Sequence, residues 1–148
     1  CSNLVGSFTD APNLANVTNF ENSFRNCSSF SANLSTWDVS NVISFGGAFL
    51  IFGATAPSTP VSGLDSWDMS SATNISSMLR AQTNYNEDLS SWNVSNVTNM
   101  ANTFFGSTSF DQNLSAWDIA NVTNFSNFAR DTTLINNFNW SVTDGGIA

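Results

Sequence analysis

The side chains able to do chemistry are few. Eleven carboxylates, Tyr85 and the cysteines Cys1 and Cys27 are spread over 148 residues that contain no His and no Lys. An activated nucleophile needs a neighbouring base, and general acid–base catalysis needs a group that titrates near working pH. Without His or Lys, a two-carboxylate glycosidase is the one conceivable reaction, and no pair of acids is set apart by its neighbours. The chain reads as a non-enzyme with no cofactor.

The same acids set the charge. Against them stand only Arg25, Arg80 and Arg130, for a net charge of −8. Nucleic acid is excluded as a partner because it needs a basic footprint, and anionic lipid is disfavoured for the same reason. No apolar run reaches the 18 or so residues of a membrane span, so no membrane insertion is expected. No signal peptide opens the sequence, which therefore reads as a mature or trimmed chain.

These residues are positioned by a repeat. Residues 113–125 read NLSAWDIANVTNF, residues 88–100 DLSSWNVSNVTNM, residues 33–45 NLSTWDVSNVISF, and residues 63–75 GLDSWDMSSATNI. Trp37, Trp67, Trp92, Trp117 and Trp140 mark the period, in steps of 30, 25, 25 and 23. With each Trp numbered zero, apolar columns fall at −3 (Leu34, Leu64, Leu89, Leu114), +2, +5, +8, +12 and +18. Pro12 takes the zero position of the first coil.

Zero and +2 alternate like a strand, while +5, +8 and +12 follow helical spacing. Ser40, Ser70, Ser95 or the Thr at +6 would cap that helix. The spacing thus predicts an α/β repeat solenoid of about five coils, each a short parallel strand plus a short helix, with Trp37, Trp67, Trp92 and Trp117 as a core ladder. One domain covers 1–148: an N-terminal capping coil at 1–32, the Trp-marked coils at 33–140, an insertion at 52–63 that bulges from one edge, and a tail at 141–148.

Several columns carry candidate sites. Position +1 holds Asp38, Asp68, Asn93 and Asp118, whose charges need Asx-turn N–H groups or, as the weaker reading, a Ca²⁺ ion. Position +13 holds all three arginines, either salt-bridged to acids such as Asp131 or Glu87 or forming a docking strip for an acidic partner. Positions +4 (Asn16, Asn41, Ser71, Asn96, Asn121) and +6 (Thr18, Thr73, Thr98, Thr123, broken by Ile43) suit internal ladders, or less well an ice-binding face. Cys1 and Cys27 lie about one coil apart, which suits a disulfide within the usual Cα window; two separate thiols are the alternative. Sequons stand at Asn16, Asn26, Asn33, Asn74, Asn93, Asn96, Asn113, Asn121, Asn124 and Asn139, in part by chance in so Asn-rich a chain. Together with a Lys-free surface they suit a glycoprotein of the cell surface or extracellular space.

The pattern L-S-x-W-D-V-S-N-V-T-N-M resembles that of the BspA-like leucine-rich-repeat family, in the variant with a roughly 25-residue repeat found in mycoplasma surface lipoproteins and some eukaryotic microbes. The likeness covers about residues 8–140. Pro12, the insertion and the shortened end after Arg130 depart from it. The resemblance implies a leucine-rich-repeat-like solenoid with a structural or adhesive role, and no catalytic residue. The expected function is a non-enzymatic extracellular module that assembles into or decorates a surface structure or filament, with other protein subunits or a surface partner. A ligand-binding module for a host protein or glycan is the alternative.

Overall fold

A computed structural model describes residues 11–52 and 56–136. Cys1, Asn139, Trp140, the tail at 141–148, residues 53–55 of the insertion and the side chain of Ile135 lie outside the described residues.

The α/β solenoid of strand and helix is not what forms. Among the described residues there is no α-helix, and the helical pieces are two 3-10 turns, Leu64–Ser66 and Thr133–Asn136. No sheet forms among the described residues either. Strand pairing is confined to isolated parallel bridges, four of them along one column: Asn19 to Ser44, Ser44 to Asn74, Asn74 to Asn99 and Asn99 to Asn124. That column is +7. The expected strand at zero to +2 pairs with nothing in this way.

The backbone angles explain the loss of the helix. Position +10 is left-handed in every coil: Asn22 (φ 56), Gly47 (φ 64), Ser77 (φ 54), Asn102 (φ 58) and Asn127 (φ 51). Position +14 repeats this at Asn26, Ala81, Gly106 and Asp131. A left-handed residue every four positions closes a turn and forbids a continuous right-handed helix. The chain instead makes i to i+3 turns in succession. In the fourth coil, Trp92, Val97, Thr103, Phe105, Ser107 and Phe110 each donate their N–H to the carbonyl three residues back.

The alternate N–H groups leave the coil altogether. Those of Ile75, Ser77, Leu79 and Ala81 bond to the carbonyls of Asn99, Ala101, Thr103 and Phe105 at 2.8–3.0 Å. The same four-bond set joins Phe20–Asn26 to Ser44–Leu50, and Met100–Gly106 to Asn124–Arg130. The chain is thus a pile of turn-built tiers, zipped through one side. Backbone polar groups are satisfied between tiers rather than within an element.

Apolar columns still line the interior, because residues three apart at the two ends of a turn point the same way. Leu34, Leu64, Leu89 and Leu114 are fully buried, and Trp37, Trp67, Trp92 and Trp117 nearly so. Trp92 stacks on Trp117 (6.0 Å, 9°) and Phe24 on Phe49 (5.4 Å, 3°) across tiers, while Phe104 stacks on Phe110 (4.0 Å, 7°) within one. The insertion does not simply bulge. Ala56, Pro57 and Val61 are buried, and Ser62 exchanges backbone bonds with Ala32 and Leu34 at 2.9 and 2.8 Å.

Candidate functional site

Most polar columns turn out to be joinery. The acids at +1 close Asx turns: Ser40 N–H donates to Asp38 at 3.1 Å, Ser70 to Asp68 at 2.9 Å, Ser95 to Asn93 at 3.2 Å and Ala120 to Asp118 at 3.1 Å. The serines expected to cap helices are therefore donors to the residue two before them. Asp38 and Asp68 are held below the ordinary carboxyl value by the Ser40 and Ser70 hydroxyls and then by their N–H groups. Asp88 is held low by the N–H of Ser90, then by its hydroxyl. Among the described residues no three His, Cys, Asp or Glu side chains are gathered to hold a metal ion.

Further Asx turns stand at −4 (Asn33, Asp88, Asn113) and +7 (Asn19, Asn74, Asn99, Asn124). The −4 column breaks at Gly63 (φ 80). There Glu87 of the next tier substitutes: its two oxygens accept the N–H groups of Gly63 and Leu64 at 2.8 and 3.0 Å. Tyr85 donates its hydroxyl to the same carboxylate at 3.1 Å. Burial first, and the Glu87 charge next, push Tyr85 well above 10, so it stays a neutral donor rather than a base. Glu87 is thus a structural cap and not a partner of Arg80.

The Asn and Thr columns tie tiers together. Asn41, Asn96 and Asn121 donate their amide N–H to Ala15, Ser70 and Ser95 carbonyls one tier back. The hydroxyls of Thr73, Thr98 and Thr123 donate to Ile43, Thr73 and Thr98. Ile43 stands in this row with nearly half its surface exposed (46%). Of the sequons, Asn16, Asn26, Asn33, Asn93, Asn96, Asn113, Asn121 and Asn124 are exposed and Asn74 is half-buried. Cys27 is a buried free thiol 3.8 Å from the Arg25 carbonyl; Cys1, its expected partner, lies outside the described residues.

Buried polar residues that the repeat pattern did not single out complete the joinery. Gln82 Nε2 donates to the Phe49 carbonyl, Ser107 Oγ to Leu79 at 2.6 Å and Thr103 Oγ1 to Met100 at 2.7 Å. The signal for Ser107 and Gln82 was their shared column, +15. A shallow polar groove of about 250 Å³ lies between tiers one to three beside Glu21 and Asn74. Glu21 already accepts from the Ser44 hydroxyl at 2.5 Å and the Asn74 amide at 3.3 Å, and no second acid lines the groove.

The arginine column behaves differently. Arg80 lies over the Phe105 ring, 4.6 Å from its centroid, and 5.9 Å from that of Phe52. Arg130 approaches Phe105 at 5.7 Å and pairs with Asp131 at 3.8 Å, both side chains more than half exposed. Such a pair contributes little, whereas a guanidinium over an aromatic ring is held in place. Phe52 is the most exposed large apolar side chain among the described residues, at 61%. Cation and ring thus alternate along one edge.

No helix among the described residues is long and apolar enough to cross a membrane. No curated protein and no solved structure matches the chain. One family model does, over residues 2–56 and again over 49–144, a span that includes the tryptophan-marked repeats. The chain belongs to the family described as Mycoplasma protein of unknown function, DUF285.

Proposed function

We propose that this is a non-enzymatic structural and adhesive module of the cell surface, which extends by stacking copies of itself end to end into a surface structure or filament. One observation carries this reading. The +2 and +5 columns are fully buried in the middle tiers (Val39, Met69, Val94; Val42, Ala72, Val97) but only half-buried at both ends, as Leu14 and Val17 on one side and Ile119 and Val122 on the other.

The two ends are complementary. In the first tier the exposed carbonyls of Glu21 and Ser23 accept no hydrogen bond from a described residue; in the last, neither do the N–H groups of Asn127 and Asp131 donate one. Laid head to tail, two copies would place Asn127 against Glu21, and Leu14 and Val17 over Ile119 and Val122, in the register of every internal pair of tiers. A head-to-tail contact of this kind gives filaments where the rotation between copies does not close a ring. The Asn, Ser and Thr coat supports an extracellular setting.

Sedimentation velocity over a wide concentration range tests the proposal. Wild-type protein should grow in size with concentration, and Val122→Glu should abolish growth while leaving the fold intact. A wild-type chain that stays monomeric at high concentration removes the filament reading. The alternative, a module that recognises a host protein or glycan, is favoured by the arginine–phenylalanine edge.

A further inference from the structure

We propose that the edge formed by Arg80, Phe105, Arg130 and Phe52 binds a linear acidic polysaccharide that carries one carboxylate or sulfate on every second sugar. The proposal goes beyond end-to-end stacking and does not depend on it.

Charge singles the edge out. A chain of net charge −8 places its only three cations in one column. Arg25 and Arg80 have no carboxylate within ion-pair distance among the described residues, and Arg130 has only the exposed Asp131. None of the three guanidinium groups donates a hydrogen bond to a described residue. The Arg80 guanidinium carbon lies over the Phe105 ring at 4.6 Å and that of Phe52 at 5.9 Å, contacts that commit none of its N–H groups to a carboxylate or carbonyl. Those are the groups that grip a carboxylate or sulfate in bidentate fashion.

Spacing selects the ligand. Successive members of the column are fixed by the tier-to-tier bonds, Ala81 N–H to Phe105 O at 2.8 Å and Gly106 N–H to Arg130 O at 2.9 Å. Tiers bonded in this way stand about 4.8 Å apart, so alternate tiers stand roughly 10 Å apart. Arg80, Phe105 and Arg130 therefore read cation, ring, cation at one-tier intervals. A polymer with an acid on every second ring presents its anions with an uncharged unit between them. Its backbone is stiff, so less ordering entropy is lost than for a flexible acidic peptide. The net negative charge of the protein repels polyanions at long range, but that repulsion is screened beyond about 8 Å at physiological salt, leaving short-range contacts to decide.

The test is calorimetric or surface-based binding of hyaluronate oligosaccharides, which carry a carboxylate on every second sugar, with neutral dextran and poly-glutamate as comparators. Hyaluronate should bind, more tightly at low salt, and dextran should not. Arg80→Gln with Arg130→Gln should weaken binding by roughly tenfold or more, one tenfold step corresponding to loss of a single charge-assisted contact. The same pair combined with Asp38→Asn and Asp118→Asn, which restores the net charge, should be equally weak. Near-UV circular dichroism and sedimentation on the same samples show that fold and assembly state are unchanged. The proposal is overturned if hyaluronate does not bind, if the charge-restored variant binds like wild type, or if poly-glutamate binds as tightly as hyaluronate.

Discussion

The indole N–H of Trp92 donates to the carbonyl of Leu64, 2.7 Å away and one tier back. Trp67 does the same to Leu34 at 3.0 Å and Trp117 to Leu89 at 2.9 Å. Each tryptophan therefore fills the interior and also bolts its tier to the one before. Replacing Trp92 by Phe keeps an aromatic ring and leaves the Leu64 carbonyl its bond from the Trp67 N–H, so the loss is that of one hydrogen bond, about 0.5–1.5 kcal/mol, before any packing loss. Urea denaturation should show the midpoint falling, and similarly for Trp67→Phe and Trp117→Phe. An unchanged midpoint in all three would show that the indole bonds contribute nothing.

The left-handed positions give predictions of opposite sign. Ala81 (φ 59) and Ser77 (φ 54) hold a conformation that disfavours a side chain, so Ala81→Gly and Ser77→Gly should each stabilise by about 0.5–1 kcal/mol once glycine's greater chain entropy is deducted. Gly106→Ala should cost about 0.5–1 kcal/mol by the same reckoning, backbone strain less the chain entropy that alanine saves, because the new Cβ meets nothing nearer than Ala81 at 3.9 Å. Gly63→Ala should cost far more. Its Cβ would lie 2.5 Å from both Asn33 Oδ1 and the Ser35 nitrogen. Thermal melts of the four variants should rank them in that order.

Glu87 offers a sharper test of what an acid does here. Glu87→Gln leaves one acceptor where two oxygens served Gly63, Leu64 and Tyr85, so one buried donor loses its partner at a cost of about 1–3 kcal/mol. Asp118→Asn should be neutral by the same measurement, because an amide oxygen accepts the same N–H, as Asn93 does for Ser95.

Acid should loosen the stack. The carboxyls of Asp38, Asp68 and Asp88 lie below their ordinary value of 3.8 in the folded chain. Their contribution is fully present above that value and is lost as pH falls through the lower folded values. Stability measured by urea midpoint should therefore decline as pH drops below about 4. The triple variant Asp38→Asn, Asp68→Asn, Asp88→Asn should decline less steeply over the same range; identical slopes would refute the assignment.

How much of this was legible differs from column to column. The tryptophan period fixes the tier length, and the Leu, Val and Phe columns fix which side chains face inward, since burial of apolar surface depends on side-chain type and spacing alone. The Asn at +10 and the Gly at 47 and 106 were a readable sign of left-handed backbone, because Asn and Gly tolerate that conformation best. Reading +5, +8 and +12 as a helix overlooked that sign. A run of turns whose corners lie three or four residues apart gives the same hydrophobic period as a helix, so periodicity reports the buried face and not the backbone path.

The sequence by itself determined the repeat, the inward columns, the net charge and the gathering of every cation at +13. Only the tertiary structure decided where the hydrogen bonds go. Alternate N–H groups bond to another tier some 25 residues away, and whether that partner outcompetes a local helix depends on both strands of chain being held side by side. The same holds for Arg80, which lies over Phe105, while Glu87 caps the turn at Gly63. A preference of that kind belongs to neighbouring tiers together, and no single repeat contains it.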